Sequence, residues 1–265
     1  MTSLRVHATL TAVSVTICSS CAPSDNVEPS GSTTASTSES ISVPDAGVGG
    51  GSSPSEYDGP PPPVTLPDLT QLSESIQDQI RAQHAVVRQK AEDAGTPPVE
   101  LGDAYGELAL ILMATGLHGT AADAYLNAHA LAPNAMRWPY YLAQLSRQTG
   151  NAPRAVEFFE RAVAIDPTYP AALVWLGEMY LDESRPDEAA RVFDQALGLE
   201  PGSAAALSGV GRAALAAGDA ERAVEYLERA LDVGPTAWNL HYSLATAYRT
   251  LGELEKVEAH LQQRG

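Results

Sequence analysis

Residues 167–201 read PTYPAALVWLGEMYLDESRPDEAARVFDQALGLEP, and this stretch decides the fold. It begins and ends on prolines 34 residues apart, and the same interval joins Pro133, Pro167, Pro201 and Pro235. Self-similarity at a fixed period of this size is the mark of a stacked repeat architecture. Further columns hold the same register. Gly116, Gly150, Ser184, Gly218 and Gly252 form one; Ala121, Ala155, Ala189, Ala223 and Val257 form a second; Ala128, Ala162, Ala196, Ala230 and Arg264 form a third. Between the last two stands a large apolar residue: Tyr125, Phe159, Phe193, Leu227 or Leu261. Upstream, Leu108, Leu142, Leu176, Val210 and Leu244 are each followed by Ala or Gly.

The columns have a physical reading. Two helices per unit cross closely, so the crossing points are small and the large residues fill the space between units. A glycine just past the first helix suits the left-handed C-terminal cap, and the proline ends the second helix. One such hairpin cannot bury its apolar face alone, whereas a stack of them can. Helix pairs are therefore predicted near 99–115 and 119–131, 136–149 and 152–165, 170–183 and 186–199, 204–217 and 220–233, and 237–251 and 254–263. Pro153 and Pro186 sit where a second helix begins, a place at which proline forfeits no hydrogen bond. Glu157 with Arg161 and Glu225 with Arg229 have the favourable spacing for solvated ion pairs on second helices.

Over residues 102–265 these columns resemble the tetratricopeptide repeat (TPR) family, as four full units and a fifth that departs at Val257 and Arg264. Ser184 in the glycine column, and Tyr105 where the family usually carries tryptophan, are the other departures. The resemblance implies an all-α, right-handed solenoid of about five helix-turn-helix repeats. It further implies that the second, fifth, ninth and twelfth positions of each first helix line a concave face. In the second unit these are Arg137, Tyr140, Gln144 and Arg147. The third supplies Ala171, Val174, Glu178 and Leu181, and the fourth Ala205, Ser208, Arg212 and Leu215. The fifth supplies Asn239, Tyr242, Thr246 and Arg249, and the first Asp103, Gly106, Leu110 and Met113. The Lys and Asn set of the family's carboxylate-clamp members is missing, so their specificity for chaperone C-termini does not carry over.

Charge sharpens the reading. The chain carries a net −17. Residues 1–66 hold one Arg against six acids, net −5, and residues 67–265 hold 15 Lys or Arg against 27 acids, net −12. Such acidity argues against nucleic acid and anionic lipid as bulk partners and serves solubility. Against this background the lining positions gather Arg137, Arg147, Arg212 and Arg249, opposed by Asp103 and Glu178, with Tyr140 and Tyr242 among them. Arginine binds carboxylates in a bidentate way, and tyrosine gives contact area at low entropic cost. One expectation is a groove for an extended peptide or protein tail with acidic groups. The other is that Arg147 and Arg249 offset helix C-terminal dipoles and Arg212 pairs with a neighbouring acid. Trp138, Trp175 and Trp238 read as packing residues.

Ahead of the repeats the chain changes character three times. Residues 1–20 resemble a bacterial lipoprotein export signal, with Arg5, a moderately apolar run from Ala8 to Cys18, and Ser19-Ser20 before Cys21 as the lipid-attachment residue; Cys18 stands where leucine is usual. The expectation is an exported periplasmic or outer-membrane lipoprotein, with secretion as the second choice and an uncleaved cytosolic tail as a further alternative. Residues 21–66, rich in Ser, Thr, Gly and Pro, cannot bury enough apolar area to fold, and read as a disordered tether spanning roughly 35–40 Å end to end. Residues 67–97 form an N-terminal segment with an amphipathic helix over 67–94, carried by Leu69, Leu72, Ile76, Ile80 and Val87. It reads as a cap on the first unit, or as a dimerisation helix. Monomer is the favoured state.

No chemistry is written in the chain. Cys18 and Cys21 are the only cysteines, and no pair among His7, His84, His118, His129, His241 and His260 has metal-ligand spacing on a helix. No phosphate loop or nucleophile elbow occurs. The expectations are no enzyme activity, no metal and no cofactor. The function predicted is a non-catalytic protein–protein interaction scaffold of the bacterial cell envelope. Alternatives are an accessory subunit of an envelope polysaccharide or cell-wall synthesis machine, or a self-assembling adaptor. A sugar groove favours aromatic faces and carboxylates, so the arginines favour peptide.

Overall fold

The computed structural model describes residues 61–234 and 238–263. The export signal, Cys21, most of the tether, Pro235, Arg264 and the Trp238 side chain lie outside the described residues.

Eleven helices are described, with no strand among the described residues. Helix α1 (Glu74–Glu92) precedes five antiparallel pairs: α2 (Pro98–Ala114) with α3 (His118–Leu131), α4 (Arg137–Gln148) with α5 (Ala152–Ile165), α6 (Pro170–Asp182) with α7 (Pro186–Leu199), α8 (Ala204–Ala217) with α9 (Ala220–Val233), and α10 (Trp238–Leu251) with α11 (Leu254–Gln262). Each second helix also packs on the first helix of the next pair, and α1 packs on α2. This is the solenoid that the 34-residue period implies.

Every turn within a pair is closed in the same way. Gly116, Gly150, Gly218 and Gly252 take φ of 76 to 85°, and Ser184 takes the same left-handed conformation at φ 58°. The residue after each donates its N–H to a carbonyl five residues back: Leu117 to Leu112 (2.9 Å), Asn151 to Ser146 (2.8 Å), Arg185 to Tyr180 (2.8 Å), Asp219 to Ala214 (2.9 Å) and Glu253 to Tyr248 (2.9 Å). This is the Schellman arrangement, which satisfies carbonyls that the helix end would leave open. Asn151, Ser203 and Asp219 then cap the helices that follow, accepting from Arg154 N, Ala206 N and Arg222 N.

The core is the set of columns read from the sequence. Ala121, Ala155, Ala189 and Ala223 are buried, as are Ala128, Ala162, Ala196 and Ala230. Tyr125, Phe159, Phe193 and Leu227 are fully buried between units, while Leu261 is 38 % exposed, because no described helix lies on the outer side of α11. The small residues are small by necessity. The Phe193 ring lies between Gly177 and Gly209, where added Cβ atoms would stand 2.6 and 2.4 Å from it, and the Trp138 ring fills the place of a Gly106 side chain at 2.1 Å.

The N-terminal segment differs from expectation. The helix begins at Glu74, not at residue 67, because Asp68 accepts from both the N–H and the hydroxyl of Thr70 (3.0 and 2.9 Å) and folds residues 68–72 into turns. Those hydrogen bonds hold the Asp68 carboxyl below its usual range. Leu69 is nevertheless buried, and Ile80 and Val87 carry the helix into the core. Residues 61–66, assigned above to the tether, form an extended strap against the domain. Asn127 Nδ2 donates to the Pro62 carbonyl (2.8 Å), His84 Nε2 lies 2.8 Å from the Val64 carbonyl, and Val64 is buried.

Candidate functional site

The first helices of the five pairs, α2, α4, α6, α8 and α10, present the lining positions. All of them carry half-buried or exposed surface except Gly106, which is buried beneath Trp138 and contributes no lining. The neighbouring columns of the same helices are core, so the exposure falls on one face. Position five runs Gly106, Tyr140, Val174, Ser208 and Tyr242; position twelve runs Met113, Arg147, Leu181, Leu215 and Arg249.

The four arginines are not equivalent. Arg137 donates to Asp103, which occupies the same position one unit earlier. Arg212 Nη1 lies 2.8 Å from both carboxylate oxygens of Glu178, again one unit earlier. Both pairs are partly exposed and worth about 0–1 kcal/mol each, but they neutralise their guanidinium groups. The two acids on this face are therefore used up in bridging consecutive first helices.

Arg147 is held differently. Its guanidinium carbon lies 4.2 Å from the Trp175 ring centroid of the next unit, and its Nε donates to Gln144 Oε1 at 3.2 Å. Gln144 Nε2 in turn donates to the Tyr140 hydroxyl at 3.2 Å. Tyr140 sits edge-on to Tyr141, Phe159 and Tyr169, at 5.7, 5.9 and 5.5 Å between ring centroids. Desolvation in this cluster raises the Tyr140 pKa, so the phenol stays protonated. No carboxylate among the described residues pairs with Arg147 or with the exposed Arg249. Tyr242 is 57 % exposed beside Thr246, whose hydroxyl donates to the Tyr242 carbonyl (3.0 Å). Of the tryptophans, Trp138 is buried packing, whereas Trp175 supports Arg147 at the edge of the face.

Two clusters off this face were not read from the sequence. The His241 and His260 Nδ1 atoms lie 3.0 Å apart across α10 and α11, and Tyr248 stacks on His260. Burial and the His241 charge depress the His260 pKa. Arg185 forks onto Glu188 (2.7 and 2.6 Å) and covers the Tyr180 ring, whose phenol donates to Glu160 and is pushed up to about 12 by burial. No cluster of three or more metal-ligating side chains occurs among the described residues. Nor is any described helix long and apolar enough to cross a membrane.

Family models for the tetratricopeptide repeat match residues 107–170, 146–212, 180–223 and 214–264. The chain belongs to the tetratricopeptide repeat family. Solved TPR structures share its fold. The MamA protein is 20 % identical with a TM-score of 0.59, the match covering 62 % of this chain and 89 % of that one. YrrB, described as a TPR protein with an unusual peptide-binding site, is 18 % identical with a TM-score of 0.60, covering 70 % of this chain and 91 % of its own. Pseudomonas aeruginosa pilF is 20 % identical with a TM-score of 0.53, covering 62 % and 74 %. No curated protein matches by sequence. TPR domains mediate protein–protein interaction, and the scaffold is generally non-catalytic.

Proposed function

We propose that this chain is a non-catalytic scaffold of the bacterial cell envelope that holds a protein or peptide partner with acidic groups on the face formed by α2, α4, α6, α8 and α10. The observation that carries this reading is the inversion of charge. In a chain of net −17, this face holds Arg147 and Arg249 without a carboxylate partner among the described residues, and its own two acids are bound to Arg137 and Arg212. Tyr140 and Tyr242 supply contact area beside the two free arginines. The peptide-binding site of YrrB, on a similar fold, supports a peptide ligand. Export and lipid attachment at Cys21 rest on the sequence alone; they would place the domain at a membrane surface on its Ser/Thr/Gly/Pro-rich tether.

The full-length protein and its R147Q/R249Q variant, used as baits in a detergent-solubilised envelope extract, test the proposal. A partner retained by the native protein, and lost both from the variant and at raised salt, is the expected result. A partner held equally by both would move the contact off this face. Labelling with a radioactive fatty acid, abolished by Cys21→Ser, tests the anchor.

A further inference from the structure

Building on the peptide-binding reading, the register of the free arginines assigns the spacing and chemistry of the ligand. Tyr140 and Arg147 occupy positions five and twelve of α4; Tyr242 and Arg249 occupy the same positions of α10. They are 102 residues apart, three repeats of 34. The two units between carry Val174 with Leu181 and Ser208 with Leu215 at these positions, all half-buried and none charged. Arg137 and Arg212 are tied to Asp103 and Glu178. The face thus has two ends of like composition, each a tyrosine with a guanidinium that has no carboxylate partner among the described residues, joined by Val174, Leu181 and Leu215 with Ser208 and the mutually neutralised Glu178–Arg212 pair among them.

We infer that the ligand is an extended peptide with two carboxylates, one for Arg147 and one for Arg249, separated by mainly apolar residues. Consecutive first helices touch along the floor: Trp175 of α6 supports Arg147 of α4, and α8 contacts both α6 and α10. Helix axes in contact lie about 8–10 Å apart, so three steps span roughly 25–30 Å. An extended chain advances about 3.3 Å per residue, which puts the two acids about eight residues apart. The spacing acts as a ruler: a peptide with adjacent acids reaches one arginine only. Arg147 is the more preorganised end, since Trp175 and Gln144 already fix its guanidinium plane. Less side-chain entropy is then lost when it binds.

A display library of 14-residue peptides tests this, each carrying two aspartates set two to eleven residues apart among randomised neutral residues. It is selected on the full-length native protein at low salt. Enrichment centred on a spacing near eight, with apolar residues between the acids, is expected. In solution, the enriched peptide made with one Asp replaced by Asn should bind roughly tenfold or more weakly. R147Q or R249Q should each lower affinity by a similar factor and abolish the effect of Asp→Asn only at the aspartate that faces the replaced arginine. R229Q, on α9 and off this face, should leave binding unchanged. Enrichment without a preferred spacing, or peptides bound equally by R147Q/R249Q, overturns the two-ended clamp but leaves a peptide groove standing. Selection of no peptide overturns the groove together with the clamp.

Discussion

The contact between Phe193 and two glycines predicts an unusual response to a substitution that ordinarily favours helix. Gly209→Ala in α8 places a methyl group 2.4, 2.5 and 2.6 Å from three carbons of the fully buried Phe193 ring. Ordinary carbon contacts lie near 3.5–4.0 Å, so the ring must retreat by about 1 Å. It has nowhere to go, because Gly177 of α6 meets its other side, where an added Cβ would lie 2.6–2.8 Å away. Overpacking of this kind costs about 1–3 kcal/mol, and a ring held on both sides belongs at the upper end. The gain in helix propensity from Gly to Ala offsets about 1 kcal/mol. The net expectation is a loss of about 2 kcal/mol. Gly198→Ala in α7 is the control, since nothing stands within 4 Å of its added Cβ; the same change there should stabilise by up to about 1 kcal/mol. Urea unfolding followed by far-ultraviolet circular dichroism measures both. Phe193→Leu should recover part of the Gly209→Ala loss while being destabilising by itself. A Gly209→Ala protein as stable as the parent, or stability that Phe193→Leu does not restore, would refute the interlocked reading of these units.

Other consequences follow from single contacts. Ser184→Gly should raise stability by about 0.5–1 kcal/mol in the same assay, because a side chain at φ 58° costs about 1–2 kcal/mol that glycine avoids, less the greater freedom of glycine in the unfolded chain. Asn127→Ala removes the donor that holds the Pro62 carbonyl and should cost about 1 kcal/mol, with faster proteolysis near residues 61–66 while the repeats stay intact. The depressed His260 pKa makes the folded state bind fewer protons than the unfolded chain. The penalty is absent above pH 6.5 and grows as pH falls from the unfolded value through the folded one, so stability should decline over that range. Replacing His260 by Gln should flatten the decline; an unchanged pH profile would remove the histidine pair from the account.

The architecture was legible because its determinants recur. The five left-handed turns, the alanine crossings and the buried aromatics fall at a fixed interval, so each unit confirms the others and helix ends fall within about two residues of expectation. The exposed face was legible for the same reason. What the sequence concealed are contacts that occur once. Asp103 and Arg137 share a column 34 residues apart, and that register was the available signal for a pairing that composition read as free charge; the pairing of Arg212 with a neighbouring acid was one of the two expectations, and Glu178 meets it. His241 and His260 meet across a helix pair at a separation with no helical spacing to betray it. The strap is held through the backbone carbonyls of Pro62 and Val64, which every residue possesses, so composition read those residues as tether. Leu69 and Leu72 kept a helical spacing while Asp68 and Thr70 folded the backbone into turns.

The most direct test of the account is site-specific photocrosslinking in the native envelope. A photoreactive residue would replace Ser208 or Thr246 on the first-helix face, or Glu221 or Asp232 on α9, each in the full-length protein. Covalent adducts to a common partner from positions 208 and 246, absent from 221 and 232 and diminished by R147Q/R249Q, are the predicted result. Adducts formed from 221 or 232 and not from 208 or 246 would contradict it, and would place the partner on the second helices instead.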